Sequence, residues 1–424
     1  MSFARYIRDH NTRGTLVVQP RMGMSDPMAM RAGLQAVRGA HAATVGTITL
    51  DSYTRVNALN AAAEALARGD ALNGYPIASH TPEVTAAVLH GIRDNDFPVQ
   101  VRHGSARPQH IAHAMARVGL SVTEGGPVSY CLPYSRTPLA SAMEDWREFC
   151  DLLTDLNDDP HVETFGGCLM GQLCPPSMLV AMSVLEACFL AQRGLPSVSL
   201  SYAQQIDPGQ DYDAVVALRS LAAELLNVDW HVVIYTYMGL YPRSVPGSLS
   251  VLEQSVHLAR STGSERLIVK TYAESRRIPT VAENVHALEH AALTAAQSPD
   301  IVVPRPEGMS QVEREARALV QATLELHPDV GQALLIAFER GMLDVPYCLH
   351  PDNPGRARSG VDPTGRIEWI DIGGLPLQGI VTPGTSARLT SGTLLDALST
   401  MQRRHDRDQA DGEIAGAGAH ELAA

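Results

Sequence analysis

Short apolar runs alternate with helical patterns eight times between residues 15 and 298, and this alternation constrains the fold more than any other feature. The runs are continuously apolar, which is typical of parallel strands covered by helices. A helix between two parallel strands forms a right-handed crossover. Eight such units predict the α/β class and a (β/α)8 TIM barrel, with a doubly wound open sheet as the alternative.

The predicted strands are spaced most regularly in the second half of the chain. They cover residues 15–21, 44–55, 98–102, 121–124, 161–165, 197–202, 231–238 and 266–271. Two helices carry a predicted capping box, in which a hydroxyl and a carboxylate three residues apart satisfy each other's backbone donors. These boxes are Ser250 with Glu253 and Thr280 with Glu283.

The alternation of apolar runs and helical patterns is confined to residues 15–298. Residues 1–14 are a polar N-terminal lead, and residues 15–298 form the predicted barrel. Residues 299–402 are predicted to be a C-terminal α+β extension packed on the barrel, with helices at 311–326 and 331–341 and a strand at 366–372. Residues 403–424 are rich in charge, glycine and alanine, which predicts a disordered tail.

Charge and motif content narrow the classes of function. The net charge of −13 argues against non-specific binding to nucleic acid or to an anionic membrane. There is no apolar run long enough for a membrane span, and the six scattered cysteines predict reduced thiols in a cytoplasmic protein. No dinucleotide fingerprint, phosphate loop or zinc motif occurs, so no metal site is predicted.

Charged residues follow the predicted strands at the end where a barrel places its active site. Arg21, Arg55 and Arg102 end the first three strands, and Glu124 ends the fourth. Guanidinium groups match carboxylates and phosphates, and three together favour an anionic ligand with two carboxylates, although phosphate is an alternative. Glu124 would then pair with an ammonium group, so that the ligand is an acidic amino acid. A single arginine of this kind is more often part of a surface ion pair.

Other side chains near these strand ends have two interpretations each. His103 either donates to the same anion or lies at the rim, and Tyr130 and Tyr134 either bind a carboxylate or close the barrel mouth. Lys270, with Glu274 after it, is suited to a Schiff base or to contact with a polar cofactor.

Seven motifs occur together and in order along the chain. They are VVQPRMG (17–23), TLDSYTR (49–55), ALNGYP (71–76), VRHG (101–104), TEGGPVSYCLPY (123–134), CPPSM (174–178) and LIVKTYAESRRIPT (267–280). With these motifs the chain resembles the large (epsilon) subunit family of glutamate mutase, or methylaspartate mutase, over about residues 13–379.

The resemblance implies an isomerase, an intramolecular transferase that binds adenosylcobalamin across the mouth of a TIM barrel. The implied reaction is the radical rearrangement of L-glutamate to (2S,3S)-3-methylaspartate. Carried over by motif, the substrate carboxylates would be bound by Arg21, Arg55, Arg102 and His103. Glu124 would bind the ammonium and accept a proton, while Tyr130 and Tyr134 orient the substrate. Cofactor contacts would come from Gly23, Asn73, Pro133, Tyr241, Lys270, Glu274 and Ile278, with Lys270 and Glu274 at the adenosyl ribose.

The resemblance also implies a partner. In this family a small (sigma) subunit holds the cobalamin through a D-x-H-x-x-G motif, whose histidine ligates the cobalt. This chain contains no such motif, because Asp229-Trp230-His231 lacks the glycine. We therefore expect a homodimer of this chain within a heterotetramer that includes two small subunits.

Some positions depart from the family pattern. Family members have alanine, histidine and lysine where this chain has Met22, Tyr235 and Arg266, and they carry a longer N-terminal segment. Two alternatives therefore stay open. One is a cobalamin-dependent mutase of another acidic amino acid in secondary metabolism, and the other is a non-catalytic amino-acid-binding barrel.

Overall fold

A parallel eight-stranded barrel forms the centre of the computed structural model, which describes residues 2–298, 308–384 and 391–406. The strands are β1 (Val17–Gln19), β2 (Gly46–Thr49), β3 (Val99–Arg102), β4 (Val122–Glu124), β5 (His161–Glu163), β6 (Ser197–Ala203), β7 (Asp229–Tyr235) and β8 (Arg266–Ile268). Consecutive strands pair from β2 to β8, and β8 pairs with β1. The barrel closes where Val18 N–H donates to the Ala43 carbonyl at 2.9 Å. The predicted TIM barrel is confirmed.

One helix, α1, precedes β1, and the other helices of the barrel follow the strands and cover its outside. They are α1 (Phe3–Asn11), α2 (Pro27–Arg38), α3 (Ser52–Arg55), α4 (Leu59–Ala67), α5 (Pro82–Leu89), α6 (Gln109–Ala116), α7 (Leu139–Leu156), α8 (Pro176–Gln192), α9 (Pro208–Leu225), α10 (Val245–Thr262) and α11 (Val281–Gln297). Within the described ranges, no helix combines the length and the apolar composition of a bilayer-spanning segment.

One of the two predicted capping boxes is correct. Thr280 and Glu283 exchange side-chain and backbone hydrogen bonds at the start of α11, as predicted. The box at Ser250 is wrong, because α10 already begins at Val245, with Ser244 accepting a hydrogen bond from Gly247 N–H. Pro246 explains the earlier start, since proline is favoured in the first turn of a helix.

The predicted polar lead contains helix α1, which covers the N-terminal end of the barrel. Its Phe3 and Ile7 side chains are buried with those of Val17, Val45 and Val122. This apolar contact closes the end of the barrel opposite to the strand-end arginines. Its apolar residues lie on one face, as in an amphipathic helix, although residues 1–14 are polar on average.

The C-terminal region packs on helices α8 and α9 of the barrel. It contains α12 (Gln311–Leu324), α13 (Val330–Arg340), an antiparallel pair of strands β9 (Arg358–Val361) and β10 (Ile367–Asp371), and α14 (Ser391–Leu398). Glu315 links it to the barrel by accepting hydrogen bonds from Ser177 Oγ at 2.7 Å and from Trp369 Nε1 at 3.1 Å. Residues 299–307 of the predicted extension, and residues 407–424 of the predicted tail, lie outside the described residues, whereas residues 400–406 are helical.

Candidate active site

A cavity of about 910 Å³ opens at the C-terminal end of the barrel strands. Its lining includes eleven of the residues predicted from sequence. These are Arg21, Gly23, Arg55, Asn73, Arg102, His103, Glu124, Tyr130, Tyr134, Glu274 and Ile278. The lining residues follow seven of the eight strands, so the cavity is gathered from distant parts of the chain, as expected for a TIM barrel.

The three arginines reach this cavity from different local structures. Arg102 is the last residue of β3, and Arg21 lies two residues beyond β1. The prediction that Arg55 ends the second strand is wrong, because β2 stops at Thr49 and Arg55 is the last residue of α3. The cause is Asp51, whose carboxylate accepts hydrogen bonds from the first backbone N–H groups and so starts a helix.

Glu124 is the centre of the charged groups in the site. Arg102 Nε donates to Glu124 Oε2 at 2.6 Å, with both side chains almost completely buried. Burial disfavours the charged guanidinium, yet the neighbouring Glu124 carboxylate raises the pKa of Arg102 well above its usual value. The Tyr130 hydroxyl donates to the other oxygen, Glu124 Oε1. The site thus contains a fixed buried ion pair.

His103 is a neutral imidazole in this site. Burial lowers its pKa to about 3, with further lowering from His110 and Arg55. Ser105 N–H donates to His103 Nδ1 at 3.0 Å, so that the proton of the neutral ring is on Nε2. His103 Nε2 is buried without a hydrogen-bond acceptor among the residues that the structure describes. A backbone contact with Glu124 opposes the fall in the pKa of His103, and His103 lines the cavity, where Nε2 is a donor for an anionic ligand.

Lys270 and Glu274 lie on the β8 side of the cavity. Glu274 Oε2 accepts from Arg21 Nη1 at 2.9 Å. Lys270 Nζ donates to the Tyr237 carbonyl at 3.3 Å and lies 4.5 Å from the centre of the Tyr241 ring. Burial lowers the pKa of Lys270 to about 8, although Glu274 opposes this shift. Lys270, Tyr241 and Pro133 are not among the lining residues, so the structure does not bring these three predicted residues to the cavity surface.

The two glycines after Glu124 allow the following loop to approach the barrel closely. Gly125 has a φ of +126°, and a Cβ at this position would lie 2.5 Å from the Tyr130 ring. A Cβ on Gly126 would lie 2.1 Å from Glu186 Oε1. Glu186 accepts the N–H groups of Val128 and Ser129 at 3.1 and 2.8 Å, which fixes the loop that carries Tyr130.

Residues 1–394 match the family described as methylaspartate mutase E chain (MutE). The chain belongs to this family.

Curated relatives of this chain are named glutamate mutase epsilon subunit, and three of them show the extent of the similarity. The relative from Haloarcula marismortui is 31% identical over 88% of this chain and 79% of its own length. The relative from Halobacterium salinarum is 32% identical over 78% of this chain and 71% of its own length. The relative from Yersinia enterocolitica is 28% identical over 89% of this chain and 81% of its own length.

Beneath the cavity, this methylaspartate mutase E chain family member has a polar barrel interior. Arg266 Nη2 donates to Glu163 Oε2, and neither side chain has any exposed surface. Tyr235 lies between this pair and Glu124, at 2.9 Å from Glu124 Oε2 and in hydrogen-bonding contact with Glu163 Oε1. The sequence identified Tyr235 and Arg266 as departures from the family pattern, but not as neighbours of Glu124.

Several other lining residues were not predicted. They include Thr49, Ser52, Phe165, Met238, Arg276 and Arg277. Arg276 and Arg277 belong to the same motif, residues 267–280, as Lys270 and Glu274. Their positive charge in this motif could have identified them as candidates. Arg277 pairs with Glu283 at 2.6 Å. The site therefore has more cationic than anionic groups in a protein of net charge −13.

Proposed function

We propose that this chain is the catalytic subunit of an adenosylcobalamin-dependent glutamate mutase, which converts L-glutamate into (2S,3S)-3-methylaspartate. The family membership supports a mutase subunit of this kind. The observation that carries the proposal is the pairing of one carboxylate, Glu124, with several cationic or neutral donors around a single cavity. An amino acid with two carboxylates and one ammonium is complementary to that arrangement.

Each end of L-glutamate has a partner in the cavity. Arg55 donates Nε to the Leu50 carbonyl, and no carboxylate lies within ion-pairing distance of it among the described residues. Its remaining N–H groups, with those of Arg102 and His103 Nε2, are donors for carboxylates. Glu124 uses Oε2 for Arg102, and Oε1 keeps a lone pair for the ammonium beside the Tyr130 hydroxyl.

The cavity wall also fits a large cofactor. Gly23 lies so close to the Thr49 carbonyl that a Cβ would be 2.2 Å from it, and any side chain here would displace the wall of the cavity. Ile278 and Val56 line the mouth and are each 68% exposed, which offers apolar surface for a flat ring system. Glu274 at the cavity edge, with Lys270 behind it, is suited to hydroxyl groups of a ribose.

When bound, adenosylcobalamin supplies a carbon-centred radical by homolysis of its cobalt–carbon bond. The residues that would hold it are Gly23, Asn73, Pro133, Tyr241, Lys270, Glu274 and Ile278. This chain contributes positioning and protection from solvent: the arginines hold the carboxylates, Glu124 holds the ammonium, and the tyrosines orient the substrate. A strong acid or an activated nucleophile is not required.

We further propose that a small cobalamin-binding (sigma) subunit with a D-x-H-x-x-G motif supplies the histidine ligand of cobalt, within a heterotetramer built on a homodimer of this chain. Exposed apolar side chains at the cavity mouth support a covering partner. Tyr134 is 53% exposed, in addition to Ile278 and Val56. The cytoplasm is the proposed location, because the cofactor chemistry and the buried free cysteines suit a reducing compartment.

The test is product formation by the purified full chain with a small subunit, adenosylcobalamin and L-glutamate under anaerobic conditions. Methylaspartate detected by proton NMR is the expected result. No product, with a small subunit that demonstrably binds cobalamin, contradicts the proposal.

An arginine variant sharpens this test. Arg102→Lys keeps the charge but loses the planar set of donors, so kcat/KM should fall by about 100-fold or more. Arg107→Lys is the matched control, since Arg107 lies five residues away in a pair with Asp145 and is largely exposed. Equal activity of both variants would show that Arg102 does not bind the substrate.

A mutase of another acidic amino acid is the second candidate. Met22 and Tyr235 favour it, because both are buried beside residues that line the cavity, at positions where family members have smaller or different side chains. A panel of acidic amino acids offered to the same assembly decides between the two substrates. A non-catalytic binding barrel would bind such ligands without releasing any product.

A further inference from the structure

The hydroxyl group of Tyr235 joins two buried ion pairs. Tyr235 is the last residue of β7 and is 1% exposed. Its oxygen lies 2.9 Å from Glu124 Oε2, accepts from Arg102 Nη2 at 3.2 Å, and contacts Glu163 Oε1. Since Tyr235 is not among the lining residues of the cavity, it acts on a ligand only through Glu124 and Arg102.

The strand register explains why a bridge is needed at this place. Glu124 on β4 and Glu163 on β5 are direct partners in the parallel register. Like charges in such positions repel each other, and more strongly where water is excluded. A phenol has one proton, so Tyr235 donates to one carboxylate at a time while its oxygen accepts from Arg102. Arg266 neutralises Glu163 from the far side.

The surroundings of Tyr235 contain few other groups that can take up a proton. Arg102 reaches it from β3, Glu124 from β4 and Glu163 from β5. Cys168 lies in the 3-10 helix after β5, and burial raises the pKa of its thiol well above the usual value, so that it stays protonated. The charged groups that the Tyr235 hydroxyl contacts are therefore Arg102 and the two carboxylates.

We propose that Tyr235 is a positioning residue that makes the site select ligands with an ammonium group. By donating to Glu124 Oε2 and accepting from Arg102 Nη2, the Tyr235 hydroxyl holds the Glu124 carboxylate in place and directs it at the ligand. Without this hydroxyl, the two buried carboxylates would face each other with no donor between them, and their repulsion would displace Glu124 from the position that meets the ligand. A displaced Glu124 would contact the ammonium poorly, whereas the arginines would still bind carboxylates.

The experiment compares L-glutamate with glutarate, which has both carboxylates but no amino group. This inference rests on the proposed function, because it takes L-glutamate as the ligand. Calorimetric titrations use the full chain assembled with the small subunit and hydroxocobalamin, so that no turnover occurs. Tyr235→Phe should weaken the binding of L-glutamate about tenfold to a hundredfold, as for a lost hydrogen bond to a charged group, with a far smaller change for glutarate.

Tyr75→Phe is the matched control. Tyr75 is also fully buried, and its hydroxyl forms one hydrogen bond of 2.8 Å, to Thr85 Oγ1 outside the site. The Tyr75→Phe substitution should lower the affinities for L-glutamate and for glutarate only slightly and by the same factor. A general loss of stability would lower the affinity for both ligands, so the ratio of the two affinities separates a positioning role from a structural one.

The outcomes distinguish this inference from the proposed function. A wild-type assembly that binds neither ligand contradicts the proposed function. A wild-type assembly that binds L-glutamate, combined with a Tyr235→Phe variant that weakens both ligands to the same extent, overturns the role of Tyr235 alone. Tyr235→His retains one donor and one acceptor, so it should keep most of the preference for L-glutamate. If the phenylalanine variant does not fold, a histidine variant without that preference overturns the inference.

Discussion

Replacement of Arg266 by methionine should destabilise the protein by about 3–5 kcal/mol, because it leaves a buried carboxylate without its counter-ion. Methionine fills a similar volume, so the cost comes from charge and hydrogen bonding. The Arg266 guanidinium donates to five acceptors in the barrel interior, which are Glu163 Oε2, Gln19 Oε1, Gln100 Oε1 at 3.3 Å, Ser199 Oγ at 3.1 Å and His231 Nε2 at 3.3 Å. With both side chains of the ion pair fully buried, solvent does not weaken their interaction.

A double-mutant cycle tests whether the ion pair itself causes this loss. Urea denaturation followed by tryptophan fluorescence measures the free energy of unfolding. The double variant Glu163→Gln, Arg266→Met should be more stable than Arg266→Met by about 1–3 kcal/mol, since no unpaired charge is left. Arg8→Met is the control: the pair of Arg8 with Asp229 is exposed at 56% and 54%, and its loss should cost less than about 1 kcal/mol.

Two results would refute this reasoning. One is an Arg266→Met variant that loses no more stability than Arg8→Met. The other is a double variant no more stable than Arg266→Met. Either result would mean that the barrel interior tolerates an unpaired Glu163 carboxylate, because water enters or the side chains rearrange. Repulsion between Glu163 and Glu124 would then be too weak to require the bridging hydroxyl of Tyr235.

Two further predictions concern the helices that support the site. Burial raises the pKa of Glu186 from 4.5 to about 7, so the folded protein holds a proton that the unfolded chain has already released between these values. The contribution of Glu186 to stability is therefore complete below pH 4.5 and is lost as the pH rises through 7. Between pH 4 and pH 8, the free energy of unfolding of the wild type should fall by about 3 kcal/mol more than that of the Glu186→Gln variant, as measured by urea denaturation at both pH values. Thr280→Ala removes the acceptor for Glu283 N–H and should lower the free energy of unfolding by about 1 kcal/mol, and an unchanged urea midpoint would contradict the contribution of this cap.

The barrel could be predicted because its signal is local and repeated. Each strand is a short apolar run, and each is followed by a helix, so eight independent observations agree. Helix α1 was missed because its burial depends on an open barrel end that exists only after the strands close. Strand β9 was missed because glycine, proline and arginine surround it, and its pairing with β10 is what stabilises it.

Many residues that line the cavity could also be predicted, whereas the network beneath them could not. Charged side chains at strand ends are brought together by the fold, whatever the exact register of the strands. The contact of Tyr235 with Glu124 and Glu163 depends on three strands, β4, β5 and β7. The tilt of the strands sets the position of each residue along the barrel axis. No spacing along the chain encodes these positions, since Tyr235 and Glu124 are 111 residues apart.

The internal ion pairs of the site determine where an anionic ligand gains most. Arg102 already pairs with Glu124, and Arg21 with Glu274, so a ligand carboxylate at either arginine competes with a protein carboxylate. Arg55 has no such partner among the described residues, and burial lowers its pKa, with Tyr130 and Glu124 opposing the shift. A partly buried guanidinium without a counter-ion carries a desolvation cost that a ligand carboxylate relieves on binding. We therefore predict that Arg55 provides the largest increment in affinity for the proposed ligand, while the Arg102–Glu124 pair would orient its amino group.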